Sequence, residues 1–301
     1  MATIAEQLTS LADAKSAIKG AIISRGVSVS DADPLRTYAD KIGEIGETVP
    51  ETKFGAGIDS FLGDVDANGV YKKSTTPLYV NLAGATSISM NALKYRFAGA
   101  TEFNFIADDV TSVGREGMSY AFYSTAGSSA PKRISFANLE VVDQYCAFEQ
   151  CLYANSDENS ITVNFPKLKV ISGTRAFSNF LVSYHGNVDD IFPALEEISG
   201  ESSMDGFCAY QNRKGLPLTF SKLKKATGST TYQPSAPFGS PQTNGNVWNF
   251  PSATEFVGYL WKSSSNTGEI HFAAANQAAI EACEGYANKW GFKNATIYFD
   301  L

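Results

Sequence analysis

The chain has 301 residues, 44% hydrophobic and 18% charged, with 31 acidic against 24 basic side chains and a net charge of −7. That composition belongs to a folded chain rather than a disordered one, and a pI near 5.0 argues against a general nucleic-acid binder, which needs a basic face to displace phosphate counterions. No apolar run approaches the ~20 residues that cross a bilayer, so membrane insertion is not expected, and four cysteines in a chain of this size do not suggest a disulfide framework.

The N-terminus, Met1-Ala-Thr-Ile-Ala-Glu6, has no basic stretch leading into an apolar block, so no secretory signal is expected and the product stays in the cytoplasm or leaves it by lysis. Residues 1–46 instead show apolar side chains at helical intervals: Ile4, Leu8, Leu11, Ile18 and Ile22, with Ala14 and Ala21 filling the stripe. Thr3 and Glu6 have capping-box spacing, and Arg25-Gly26 supplies a cation and a left-handed-permissive residue at the end. Asp33-Pro34 then opens a second helix with Leu35, Tyr38, Ile42 and Ile45 on one face. Two helices this small have little core of their own. The expectation is an α-helical hairpin that oligomerises, a trimer being favoured, or docks on a partner; a cap packed on the rest of the chain is the alternative.

Residues 47–79 read as a linker, with Pro50 and several glycines marking turns and a hairpin at Asn68-Gly69. Asp64-Val-Asp66-Ala-Asn68-Gly69 begins like a calcium loop, but the twelfth position would be Thr75 rather than a bidentate Glu, so no metal is expected.

From about residue 80 to 273 one phrase recurs: Phe136-Ala-Asn-Leu139-Glu-Val-Val142, Phe165-Pro-Lys-Leu168-Lys-Val-Ile171, Phe192-Pro-Ala-Leu195-Glu-Glu-Ile198 and Phe220-Ser-Lys-Leu223-Lys-Lys-Ala226. Weaker copies stand at Phe250 to Phe256, at Leu82 to Ile88, and around Phe105 to Val113, where two residues look inserted. Such units cannot enclose their own Phe, Leu and Ile, so they must stack, each adding one strand to a parallel sheet with neighbours about 4.8 Å apart. The fold class is therefore a mainly β repeat solenoid of the leucine-rich-repeat kind. A second aromatic follows after a variable gap, as Phe122, Phe148, Phe177, Phe207 and Phe238, usually behind a small residue. Residues 274–301 close the stack: Asn276 caps a helix burying Ile280, Cys283, Ala287 and Trp290, Gly291 ends it, and an alternating strand follows through Ile297, Phe299 and Leu301.

Little in the sequence points to chemistry. The two histidines, His185 and His271, give no base-and-orienter pair, adjacent acids such as Asp108-Asp109 point to opposite faces if on a strand, and no phosphate loop is present. No catalysis and no cofactor are expected. What varies is the set of segments between strands, 123–132, 152–162, 182–190, 209–217 and 228–247, rich in Ser, Thr, Asn, Gly and Tyr. In a solenoid such insertions collect on one side of a rigid frame. Tyr153, Tyr184, His185, Tyr210 and Tyr232 lie in or beside them and are the candidate ligand-binding residues.

The phrase Phe-Pro-x-Leu-x-x-Ile followed by Ala-Phe resembles the BspA-like leucine-rich repeat of bacterial surface adhesins and phage-encoded proteins. The resemblance covers about residues 76–273; the long 228–247 insertion and the worn first repeats depart from it. Ala21-Ile22, Val27-Ser-Val29, Tyr38-Ala-Asp-Lys-Ile42 and the ending Tyr298-Phe299-Asp300-Leu301 look like parts of phage tail and tail-fibre proteins. The resemblance implies a non-enzymatic virion structural protein, assembled in the host cytoplasm with other tail proteins, whose solenoid loops meet a host surface glycan or protein. The alternative it leaves is a cellular BspA-like adhesin or interaction module.

Overall fold

The computed structural model describes residues 78–100, 102–123, 132–153, 161–181, 191–207, 217–229, 236–238, 245–262 and 266–301, with a few isolated residues before them at 11, 12, 14, 15, 18, 19, 34, 37, 38, 57 and 58. The chain winds as a parallel solenoid with three walls per coil. Strands are numbered here in chain order. The first wall holds β2 (Leu78–Asn81), β4 (Phe103–Ile106), β6 (Lys132–Ser135) and β8 (Ile161–Asn164) in one sheet, and β11 (Pro217–Thr219), β13 (Asn246–Phe250), β15 (Gly268–Phe272) and β16 (Ala295–Phe299) in another. The second wall holds β1 (Gly57–Ile58), β3 (Ser87–Ile88) and β5 (Ser112–Val113), then β7 (Val141–Val142), β9 (Val170–Ile171), β10 (Glu197–Ile198), β12 (Lys225–Thr227) and β14 (Glu255–Val257). All these strand pairs are parallel. Most coils thus add two strands rather than one, because the chain is extended on both sides of the turn at Phe-x-x-Leu; the coil of Phe192 adds only β10, which is where the first wall divides into its two sheets.

The phrase builds the core. Phe136, Phe165, Phe192, Phe220, Phe250 and Phe272 are buried on successive coils, and Phe136–Phe165, Phe220–Phe250 and Phe250–Phe272 stack with ring centroids 5.3, 5.5 and 5.9 Å apart. Phe148 and Phe177 meet this column edge to face, at 5.4 Å from Phe148 to Phe165 and 5.6 Å from Phe165 to Phe177. The result is a herringbone, the arrangement an aromatic quadrupole favours. Leu139, Leu168, Leu195 and Leu223 form a second buried column; Ile88, Val113, Val142, Ile171, Ile198, Ala226 and Phe256 form a third. The worn copy near Phe105 carries no insertion. Leu82 N–H bonds Ile106 O and Ala107 N–H bonds Ser135 O, so Ala107, Val110 and Val113 take the three column positions while Phe105 sits in β4 beside Ile134.

Among the described residues before the C-terminal unit, the third wall has neither helix nor strand. Alternate amides close tight turns and reach the next coil: Lys94 N–H donates to Asn91 O, whereas Leu93, Tyr95 and Phe97 donate to Gly117, Ser119 and Ala121 O. Every fourth residue has positive φ, as at Asn91, Tyr95 and Gly99, at Glu116 and Tyr120, at Cys146 and Gln150, and at Arg175 and Asn179. A non-glycine residue there costs roughly 1–2 kcal/mol. Cross-coil bonds such as Tyr120 N–H to Glu149 O and Gln150 N–H to Ser178 O, both 2.8 Å, offset it. This four-residue period also explains the variable gap before the second aromatic, which is not one column. Met118, Phe148 and Phe177 are aligned, since Met118 N–H bonds Ala147 O and Phe148 N–H bonds Ala176 O; Phe122 lies one step on, aligned with Leu152.

Where the second wall turns into the third, coils approach so closely that a side chain has no room. A Cβ on Gly173 would lie 2.9 Å from Asp143 C, one on Gly200 2.8 Å from Gly173 C, and one on Gly258 2.7 Å from Gly228 O, all backbone atoms.

The C-terminal unit differs from the single helix expected. A 3-10 turn at Ala274–Asn276 leads into a short helix, α1 (Gln277–Glu281), and a second 3-10 segment, Tyr286–Gly291, follows Gly285 at φ 92°. Asn276 makes no side-chain cap and instead donates from Nδ2 to Pro251 O at 3.2 Å. Ala287 is exposed, while Ile280 and Trp290 are buried and Cys283 is half-buried. The last strand is present as β16, paired in register with β15. The hairpin of helices and the turn at Asn68-Gly69 lie outside the described residues apart from isolated positions: Leu11 and Ile18 have helical backbone and are 55% and 39% exposed, and Lys15 Nζ lies 5.9 Å from the Tyr38 ring centroid.

Candidate functional site

Four of the five variable segments share one place in the fold; the fifth, 228–247, starts after β12 of the second wall and crosses the third wall at 236–238, where Pro237 O accepts from Met204 N–H and Phe238 N–H donates to Leu260 O. Each of the four follows the third wall and precedes the first: the described chain stops after Tyr123, Tyr153, Leu181 and Phe207 and resumes at Lys132, Ile161, Ile191 and Pro217. Because the coils are in register, these departure points stack along a single corner. Tyr123 and Tyr153 mark it, with rings 5.3 Å apart and 11° from parallel.

A tyrosine ladder runs into this corner across the third wall. Tyr95 stacks on Tyr120 at 4.5 Å, Tyr120 meets Tyr123 at 5.5 Å, and Gln150 Nε2 donates to the Tyr120 hydroxyl at 2.9 Å. Burial first, and then the nearby Glu149 carboxylate, push the Tyr120 phenol up to about 12, so it stays a neutral hydrogen-bonding group at any ordinary pH. Glu149 is buried and ion-paired with Arg175, and Lys94 pairs with Glu116. The surface beside the corner is therefore aromatic and polar, with Glu149 and Glu116 paired to Arg175 and Lys94.

Of the candidate ligand-binding residues, Tyr153 lies in this arrangement, half-buried against Tyr123. Tyr184, His185, Tyr210 and Tyr232 lie outside the described residues, as do Ile4, Leu8 and Ile22 of the oligomerisation stripe. Tyr95, Tyr120 and Tyr123 are the members that sequence reasoning missed. For Tyr95 and Tyr120 the signal was a Tyr recurring at the positive-φ step of the third wall, which shows only once the four-residue period is known.

The remaining polar clusters make bonds within and between coils. Asp108 and Asp109 sit in a turn and face neighbouring coils: Asp108 Oδ1 accepts from Ser135 Oγ at 2.6 Å and Ala137 N–H at 3.1 Å, and Asp109 Oδ2 accepts from Gly84 N–H at 2.8 Å. Outside the second wall, Glu140, Lys169, Glu196 and Lys224 alternate in sign on successive coils, with Lys169–Glu140 and Lys224–Glu196 both at 2.9 Å. Hydrogen bonds from those lysines hold the Glu140 and Glu196 carboxyls below the usual range. His271 points outward from β15, stacked on Tyr298 at 4.7 Å, with Nδ1 2.8 Å from Asp300 Oδ1 and Nε2 3.1 Å from Glu269 Oε2. It borders an open cleft of about 550 Å³ with Asn249 and Val247. Cys146 and Cys151 are buried free thiols; burial pushes Cys146 up to about 12 and Cys151 further still. Among the described residues no three His, Cys, Asp or Glu side chains gather as metal ligands, and no helix is long and apolar enough to cross a membrane.

Comparison with protein-family models, curated proteins and solved structures found no match, and the BspA-like resemblance rests on the motif alone.

Proposed function

We propose that this chain is a non-enzymatic recognition protein, a tail-fibre or receptor-binding component of a phage virion, whose variable segments contact a glycan or protein on the host surface. The observation that carries the reading is the alignment of four departure points along one corner of a rigid solenoid, beside an aromatic and polar wall. Tyr153, with Tyr184, His185, Tyr210 and Tyr232 in the segments themselves, supplies contact area with a polar handle. The N-terminal stripe, Ile4, Leu8, Leu11, Ile18 and Ile22, trimerises the chain or attaches it to other tail proteins; the exposure of Leu11 and Ile18 supports this. The virion assignment rests on the resemblance of the motifs.

Gold-labelled antibody to the chain tests the assignment. Label on the tails of intact phage particles is expected, and particles from an infection that expresses the chain but carry no label would overturn it. Mass measurement of the full-length protein should give an oligomer, and removal of residues 1–46 a monomer; a monomeric full-length chain contradicts the trimer.

A further inference from the structure

We infer that the second wall contains a hinge, between the coil of Val113 and the coil of Val142. On either side of this junction the wall is laced shut. Below it, Thr111 N–H donates to Thr86 O at 2.9 Å and Gly114 N–H to Ile88 O at 2.7 Å. Above it, Lys169 N–H donates to Glu140 O at 2.8 Å, and Ser172 and Gly173 N–H donate to Val142 O at 2.9 and 3.0 Å. Across the junction itself the matching amides of Glu140, Asp143 and Gln144 make no bond to Thr111 or Val113, and β5 and β7 belong to separate sheets. A cleft of about 380 Å³ opens there, lined by Ser112, Val113, Val141, Asp143 and Gln144 among others. The other two walls pass the junction unbroken: β4 pairs with β6, and Glu116 and Met118 N–H bond Tyr145 and Ala147 O.

The open junction lacks the glycine that stands at most closed ones. Five of the six closed junctions have a glycine one or two residues after the Val, Ile, Ala or Phe of the third core column in the upper coil: Gly114, Gly173, Gly200, Gly228 and Gly258; the β1–β3 pair closes with Ser89 and Met90 after Ile88. A Cβ on Gly114 would lie 2.8 Å from Met90 N, and one on Gly173 overlaps the Gln144 carbonyl below it. After Val142 the two positions are Asp143 and Gln144, and both carry a Cβ. Gln144 stands where Gly173 stands in the next coil, so its Cβ is directed at the backbone around Arg115. The wall yields by opening, which leaves donors on one lip and acceptors on the other to water.

The opening is also placed to bend the molecule. It lies in the wall opposite the corner where the third and first walls meet, and at that corner the same two coils touch through the Tyr123–Tyr153 stack. Rotation about that contact opens or closes the seam and changes the angle between the coils before and after it. Arg115, over the Tyr145 ring at 5.0 Å, bridges the seam at its third-wall end as a latch. The hinge stands independently of what the segments bind.

Amide hydrogen exchange on the full chain tests it, comparing wild type with Gln144→Gly and Gln144→Ala. In wild type the amides of Glu140, Asp143 and Gln144 should exchange at least tenfold faster than those of Lys169, Ser172 and Gly173. Gln144→Gly should slow them to the rates of the latter and raise Tm, whereas Gln144→Ala, which keeps the Cβ, should leave them fast. Equal protection in wild type, or closure by alanine as well as glycine, would overturn the steric account. For the motion, spin labels at Ser112→Cys and Ser172→Cys, with Cys208 and Cys283 replaced by serine, should give a broad distance distribution that narrows in Gln144→Gly; equally narrow distributions overturn the hinge.

Discussion

Gly173→Ala sets two effects of opposite sign against each other. Alanine restricts the unfolded chain, which at an unstrained site stabilises by about 0.4–1 kcal/mol. Gly173 is not at a positive-φ site, so that gain is available in principle. Against it, the new Cβ would lie 2.9 Å from Asp143 C and Gln144 C, where ordinary contact begins near 3.4 Å, and both atoms belong to backbone that cannot swing aside. Separating the coils enough to fit it costs about 1–3 kcal/mol in overpacking and weakens the bonds from Lys169, Ser172 and Gly173 to the coil below, each worth about 1 kcal/mol. The balance is a loss of about 3 kcal/mol, which for a domain of this size lowers Tm by roughly 6–12 °C. Differential scanning calorimetry on wild type and variant measures it. A Tm equal to or above wild type would show that the coils do not meet as tightly as this corner requires.

Other perturbations probe the columns and the charges. Phe165→Ala removes a ring that touches Phe136, Phe148 and Phe177, and should cost about 3–5 kcal/mol, read as a fall in urea midpoint with the slope unchanged. Lys169→Glu puts three like charges in line with Glu140 and Glu196; Tm should fall at low salt and recover in 1 M salt, and a salt-independent change would point to packing instead. Glu116, Glu140 and Glu196 bind protons more weakly folded than unfolded. Their stabilisation is therefore complete above the unfolded value of 4.5 and is lost as pH falls through the lower folded values, so Tm should be flat near neutrality and drop below about pH 4.5. Cys146 and Cys151 should resist iodoacetamide at pH 8 in the native protein and react after unfolding, as read by peptide mass mapping.

The parallel solenoid was legible because Phe, Leu and Ile recur at a spacing that only stacking can bury. The second sheet was not, since strands of two residues such as β7 and β9 leave no alternation to read. The third wall was hidden for a different reason: Glu116, Tyr120 and Arg175 occupy left-handed positions that propensity reserves for glycine and asparagine, and only cross-coil bonds hold them there. The glycines of Ile171-Ser-Gly173 and Ile198-Ser-Gly200 are visible in the string, yet their meaning lies in the approach of another coil. The broken C-terminal helix follows from Gly285, which turns the chain four residues after α1 ends. For the site, the segments could be read from their variable length, whereas the tyrosine ladder beside them depends on register between coils.

Recognition by the variable segments is tested most directly by replacing 124–131, 154–160, 182–190, 208–216 and 239–244 together with short Gly-Ser turns, and measuring fluorescent protein binding to a panel of bacterial cells and a glycan array. The account predicts that the wild-type chain binds selected cells or glycans and that the variant keeps its circular dichroism and loses that binding. Undiminished binding by the folded variant would contradict it.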